Sequence, residues 1–196
     1  PLVHVVGGGP SYVNMPGYKK TLALDIKEPA IPEGAPKDPT IEKIEELKRQ
    51  RFYPGAHNLP DVKRGFDERA MAPEALAQDD EFIAKDSWQL NAVLRHLGVT
   101  HLIYAGFAVN FCIPHAPGGM CDMRRLGYFC SIIREATTAV ENRESCREQW
   151  HLEEGLWQVA HYGAVFSLED INRMLDKLAA LGQSADQEAR QGLLLK

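Results

Sequence analysis

Cysteine is scarce. The chain of 196 residues holds four, at Cys112, Cys121, Cys130 and Cys146, too few to staple a protein of this length and with no CxxC pair among them. Their spacings of nine, nine and sixteen residues do not match a zinc-ligand pattern. No apolar run approaches the ~18–20 residues needed to cross a bilayer. The opening PLVHVVGGGP has neither the basic flank nor the cleavage pattern of a secretory signal. Positive charge is in deficit, with 22 Lys+Arg against 27 Asp+Glu and a net charge of −5. That removes the electrostatic footprint of a protein that holds phosphate backbones or anionic lipid. Internal repeats and low-complexity tracts are absent. The expectation is a cytoplasmic protein with no nucleic-acid partner and no membrane.

What remains is ordinary globular material, 44% hydrophobic and 25% charged. The length is about 1.3 times a ~150-residue domain, enough to bury a core without cross-links. One domain is expected over 1–181, followed by a polar C-terminal arm over 182–196.

Apolar runs and breakers place the elements. Leu2–Val6 reads as a buried strand ended by Gly7-Gly8-Gly9-Pro10. Ser11–Pro39 carries five prolines and reads mostly as loop, with a short strand over Thr21–Ile26. Asp38-Pro39 looks like an N-cap and first-turn proline for a helix over Thr40–Arg51 with a narrow stripe of Ile41, Ile44 and Leu47. Phe52–Asp80, including RGFDER at Arg64–Arg69, reads as irregular. Ser87 is expected to cap a helix built on Leu90, Val93, Leu94 and Leu97 and stopped by Gly98. A strand over Thr100–Gly106, a turn over Phe107–Phe111, a short helix between Gly119 and Leu126 and a strand over Tyr128–Ile133 follow. A helical pattern covers Glu141–Tyr162, then a strand Ala164–Phe166. Ser167 with Asp170 forms a capping box for a helix over Leu168–Leu181. Strands alternating with helices predict an α/β fold with a mostly parallel sheet.

In such sheets ligands sit beyond the carboxyl ends of the strands, and Cys112 falls there, between a strand and a helix. Unpaired N–H groups at a helix start favour thiolate over thiol. They can also hold the oxyanion formed when that sulfur attacks a carbonyl. The surrounding text is more specific. Gly98, Ala105-Gly106, Cys112, Gly127-Tyr128 and Glu135-Ala136 with Ala139 occur in order over Ser87–Glu141, and this set resembles the isochorismatase-like cysteine hydrolases, which include nicotinamidase, N-carbamoylsarcosine amidase and isochorismatase.

The resemblance implies a doubly wound, Rossmann-like three-layer fold with helices on both faces of the sheet. It also implies an Asp, Lys and Cys triad and a non-proline cis peptide, here at Ala108-Val109. Cys112 is the nucleophile in that scheme. Lys85 is the candidate lysine, the alternative being an exposed surface residue, and the Lys-x-x-x-x-F pattern is missing around it. The family aspartate ends the first strand, and here the sequence opens on what resembles the second. Either that strand and its base are absent from this chain, or Leu22–Ile26 serves as the first strand with Asp25 as base. IPHAPGG at Ile113–Gly119 interrupts the helix expected after the cysteine, and Glu135 stands where the family prefers Asp.

Substrate contacts are expected at Phe107, Ala108, Val109, Asn110, Phe111 and His115, with core packing an equal alternative for Phe107 and Phe111. Arg64 and Arg69 either face an anionic substrate or form a solvated loop. His4 is a candidate pocket residue. No Asp-x-His pair occurs and the remaining histidines are scattered, so neither metal nor cofactor is expected. The leading expectation is a cysteine hydrolase that cleaves a C–N bond in a small amide, ureide or carbamoyl compound through an acyl-enzyme. The alternatives are a non-catalytic relative acting as a binding or assembly module, and vinyl-ether cleavage of the isochorismatase type. A homo-oligomer is implied by the resemblance.

Overall fold

The computed structural model describes residues 1–7, 9–29, 38–52, 55–57 and 59–193, with side chains as far as residue 181. The chain forms two compact units, Pro1–Val99 and Thr100–Lys196. Among the described residues both sheets are wholly parallel, so the α/β class read from the alternation of elements is the class observed.

In the first unit β1 (Val3–Val5) pairs with β2 (Phe82–Ala84) in the register Val3↔Phe82, His4↔Ile83 and Val5↔Ala84. Between them lie α1 (Pro16–Leu22), α2 (Pro39–Arg51) and α3 (Leu59–Asp67), and α4 (Ser87–Leu97) follows. Ile83, Leu90, Val93 and Leu94 form the buried centre. Tyr12 and Tyr18 meet edge to face at 4.9 Å and pack beside Ile83. α1 lies so close to the entry of β2 that a Cβ on Gly17 would run into the Glu81 carbonyl oxygen.

Several expectations in this unit are corrected. Thr21–Ile26 is not a strand. Pro16 opens a helix at its first position, where a missing N–H costs nothing, and Thr21 Oγ1 donates to the Gly17 carbonyl inside it. α3 falls in the stretch Phe52–Asp80 read as irregular, and β2 lies just beyond it, where no strand is expected. A three-residue apolar run flanked by Glu81 and Lys85 is too short to show a period, and Pro60 beside Leu59 reads as a breaker although it sits in a first turn. The cap of α4 is Asp86 rather than Ser87. Its Oδ1 accepts from Trp88 N at 3.1 Å and Gln89 N at 2.9 Å. Gly98 ends α4 at φ 65°, and Asp38 caps α2 by accepting from Thr40 N at 2.7 Å. The α2 stripe of Ile41, Ile44 and Leu47 is exposed.

The second unit carries β3 (His101–Gly106), β4 (Phe129–Thr137) and β5 (Ala164–Phe166) in that spatial order. α5 (Cys112–His115) and α6 (Met120–Arg125) connect β3 to β4, and α7 (Trp150–Ala160) connects β4 to β5. α8 (Leu168–Leu193) closes the order, so helix continues well past residue 181, where an arm is expected. α6 and α7 pack on β4, and α8 packs on β4 and β5. Met120, Met123, Cys130, Ile132 and Val159 are fully buried. α7 begins at Trp150 instead of Glu141 because Asn142 and Ser145 close a turn of their own and Gln149 adopts φ 54°. The cis peptide bond is Phe107–Ala108, one bond before the expected position. No helix is long and apolar enough to cross a membrane among the described residues.

Candidate functional site

The loop from β3 to α5 is fixed from below by the segment that follows β4. Thr138 N donates to the Gly106 carbonyl at 3.1 Å, and Val109 N donates to the Thr138 carbonyl at 2.9 Å. Asn110 then binds the Val140 backbone at both ends. Its Nδ2 donates to the Val140 carbonyl and its Oδ1 accepts from Val140 N, each at 3.0 Å. Phe111 N and Ile113 N both donate to the Ala108 carbonyl, at 3.1 and 3.0 Å. The EATTA run at Glu135–Ala139 thus supplies the end of β4 and the backbone that holds this loop.

On that support Cys112 is the first residue of α5 and is exposed. Among the described residues its Sγ has no hydrogen-bond partner. α5 is a single turn, closed by His115 N to the Phe111 carbonyl and Ala116 N to the Cys112 carbonyl, both at 3.0 Å. It stops because Pro117 and the Gly118-Gly119 pair follow. Tyr104 reaches out of β3 to hold this interruption, its hydroxyl donating to the Gly118 carbonyl at 2.9 Å. Burial, reinforced by Cys130, lifts the Tyr104 phenol far above its ordinary range, which keeps it a neutral donor.

The remaining expected positions divide by what their side chains touch. Phe107 and Phe111 are exposed, 78% and 56%, and stand beside Cys112 in sequence as free aromatic surfaces. His115, one turn beyond Cys112, is exposed, with Nδ1 at 3.9 Å from the Cys121 sulfur. Ala108 and Val109 are buried, and Asn110 is occupied by Val140, so these three carry the loop. Lys85 directly follows β2 in the first unit, is exposed, and donates through its backbone N to Gln89 Oε1 at 3.1 Å. Cys112 belongs to the second unit.

Other side chains singled out in the sequence have partners of their own. Asp25 follows α1, is largely exposed, and pairs with Lys27 at 3.5 Å, so it ends no strand. His4 Nε2 meets Glu81 Oε2 at 2.7 Å. Arg64 pairs with Asp61 at 3.0 Å, and Arg69 bonds the Gly7 carbonyl while lying over the Phe66 ring. Within RGFDER it is Arg69 that reaches the backbone just past β1. Glu135 accepts from Leu168 N at 2.8 Å and so caps α8. Cys130 is buried, and burial pushes its thiol up to about 11.

No family model matches the chain. A similar solved structure is that of an isochorismatase-like hydrolase from Alkaliphilus metalliredigens. Sequence identity is 18%, the match covers 70% of this chain and 82% of that one, and the TM-score is 0.47.

Two contributors to the site carry no chemical signature in the sequence. One is the backbone of Thr138 and Val140. The other is Gly155 on α7, where a Cβ would stand 2.6 Å from Val109 Cγ1. The missing side chain lets α7 press directly on the loop that carries Cys112. A glycine amid helix formers was the available clue, since glycine inside a helix persists where something approaches closely. Among the described residues no three of His, Cys, Asp and Glu gather as a metal site.

Proposed function

We propose that the protein is a hydrolase that uses Cys112 as nucleophile on the C–N bond of a small amide, ureide or carbamoyl compound. The observation that carries this reading is the position of Cys112, exposed on a pinned loop just beyond the carboxyl end of β3, within the motif set that resembles the cysteine hydrolases. The sulfur bonds to the carbonyl carbon, and the C–N bond breaks as nitrogen leaves with a proton. Water then releases the acid from the thioester. Phe107 and Phe111 form apolar walls for the substrate and His115 a polar one. Ala108, Val109 and Asn110 line the loop through backbone rather than side chain. A lysine that supports the thiolate and an aspartate that serves as general base are the further roles the resemblance implies beside the cysteine.

A second reading, a non-catalytic binding module, is favoured by the bare sulfur, because among the described residues no carboxylate hydrogen-bonds Cys112 Sγ. One experiment separates the two. Ammonia release is measured from a panel of small primary amides, ureas and carbamoyl compounds, with intact-protein mass spectra taken on quenched reactions. Hydrolysis requires an acyl adduct that maps to Cys112, and Cys112→Ala must abolish both adduct and ammonia. Turnover that survives Cys112→Ala overturns Cys112 as the nucleophile, and a panel without turnover on a protein whose Cys112 alkylates no faster than Cys146 supports the module instead.

A further inference from the structure

α5 carries two chemically active side chains one helical turn apart. Cys112 and His115 are its first and last residues, and side chains three positions apart on a helix stand about 5–6 Å from each other at Cβ. Ile113 and Pro114 between them are buried, so Cys112 and His115 leave the turn together on its other side. α6 brings a third group to the pair. A Cβ on Gly119 would stand 2.7 Å from the carbonyl oxygens of both Ile113 and Ala116, so only glycine lets α6 start this close against α5. Met120 and Met123 are fully buried and fix α6 in place. Cys121, its second residue, puts its sulfur 3.9 Å from His115 Nδ1. Among the described residues His115 Nε2 has no partner. All three side chains belong to the second unit.

We propose that His115 is the proton-transfer partner of Cys112 and that Cys121 holds its ring in position. The proposal rests on Cys112 being the nucleophile, and it gives His115 the role that the resemblance assigns to an aspartate. A neutral imidazole has one N–H and one lone pair. With Nδ1–H donated to the Cys121 sulfur, a weak acceptor, the lone pair lies on Nε2. Rotation of the Cys112 side chain brings its thiol toward that nitrogen, a contact of the kind that tightens when substrate binds. Nε2 takes the proton from Cys112 Sγ as sulfur bonds to the carbonyl carbon. The imidazolium returns that proton to nitrogen as the C–N bond breaks, so the amine leaves neutral. Nε2 next takes a proton from the water that attacks the thioester, and Sγ recovers it as the acid departs. Nucleophile, base and a group that orients the base then lie within ten residues of chain. Cys121 acts only through His115 and is a positioning residue.

Wild type, Cys112→Ala, His115→Ala and Cys121→Ala are compared on the amide, urea and carbamoyl panel, with far-UV circular dichroism as the folding check. Iodoacetamide labelling of Cys112 at pH 7 is followed by peptide mapping, with Cys146 as the internal standard. His115→Ala is expected to lose about a hundredfold or more in turnover, the scale of a general acid–base contribution, and to label Cys112 more slowly while Cys146 is unchanged. Imidazole added to His115→Ala restores turnover in proportion to its concentration, which a purely structural loss does not allow. Cys121→Ala loses less than His115→Ala, because the base is still present but no longer oriented. Wild-type turnover in His115→Ala, or a loss that imidazole leaves untouched, overturns the role of His115, and an inactive Cys112→Ala beside it keeps Cys112 as nucleophile. Turnover that survives Cys112→Ala removes the reading on which the proposal rests. Where no panel compound turns over, the labelling decides: an unchanged Cys112 rate in His115→Ala overturns the proposal, and a slower one supports it.

Discussion

Asn110 shows how a single side chain sets the geometry of a loop. Its amide gives and takes one hydrogen bond with the Val140 backbone, and neither bond can be replaced by a hydrocarbon. Asn110→Ala forfeits both, about 1–3 kcal/mol at ~0.5–1.5 kcal/mol each, and frees the loop two residues before Cys112. The measurement is a urea midpoint together with the rate of Cys112 alkylation. Unchanged values for both would mean that Val109 and Thr138 hold the loop alone. Gly155 works by omission. A methyl group there meets Val109 Cγ1 at 2.6 Å, inside van der Waals contact, and Val109 is buried with nowhere to go. Gly155→Ala is expected to destabilise by about 1–3 kcal/mol, the range for overpacking, even though the same change in an exposed helix stabilises. A higher midpoint for Gly155→Ala sinks this account.

Helix starts divide into those visible in the sequence and those hidden from it. Asp38-Pro39 and Ser167 with Asp170 cap their helices as local patterns predict, because donor and acceptor lie within three residues. The cap of α7 comes from farther away. Glu141 accepts from Leu152 N at 2.9 Å and His151 N at 3.3 Å, and Ser145 Oγ donates to it at 2.5 Å. Burial pushes this carboxyl up, but the Ser145 hydroxyl and the Leu152 and His151 amides outweigh it and hold the group below the usual carboxylate range. A folded-state value below the unfolded one gives stability that is present above the unfolded pKa and is lost as pH falls through the folded one. Glu141→Gln removes that dependence while keeping the shape. Thermal midpoints from pH 7 down to pH 3 should therefore converge for wild type and variant on the acid side, and parallel curves would show that Glu141 contributes nothing by charge. Ten residues separate this acceptor from its donors, so local patterning extended the helix back to Glu141 itself. The same limit hid α1, where Pro16 starts a helix that the prolines of its neighbourhood disguise, and β2, whose three apolar residues are too few to carry a period.

At the scale of the whole chain the parallel α/β order was legible, because each strand of the second unit is bounded by glycine and each long helix has its own stripe. The candidate site was legible at Cys112 and not at its supports, since a backbone carbonyl and an absent methyl group leave no chemical mark. The four thiols report on this arrangement together. Cys112 and Cys146 are exposed, Cys121 is partly covered beside His115, and Cys130 lies wholly inside β4 with burial raising its pKa to about 11. A disulfide reagent added to the native protein at pH 8 should therefore titrate two thiols in a fast phase and Cys121 more slowly. Cys130 should react only at the rate of opening, because β4 is bonded on both edges, to β3 and to β5, and its sulfur reaches water only when those ladders part. Peptide mapping assigns the phases, and adding urea below the midpoint should speed Cys130 alone. A Cys130 that reacts with the fast pair in the absence of denaturant would require the β3-β4-β5 sheet to open readily, and a loop resting on that sheet could not then hold a sulfur in place.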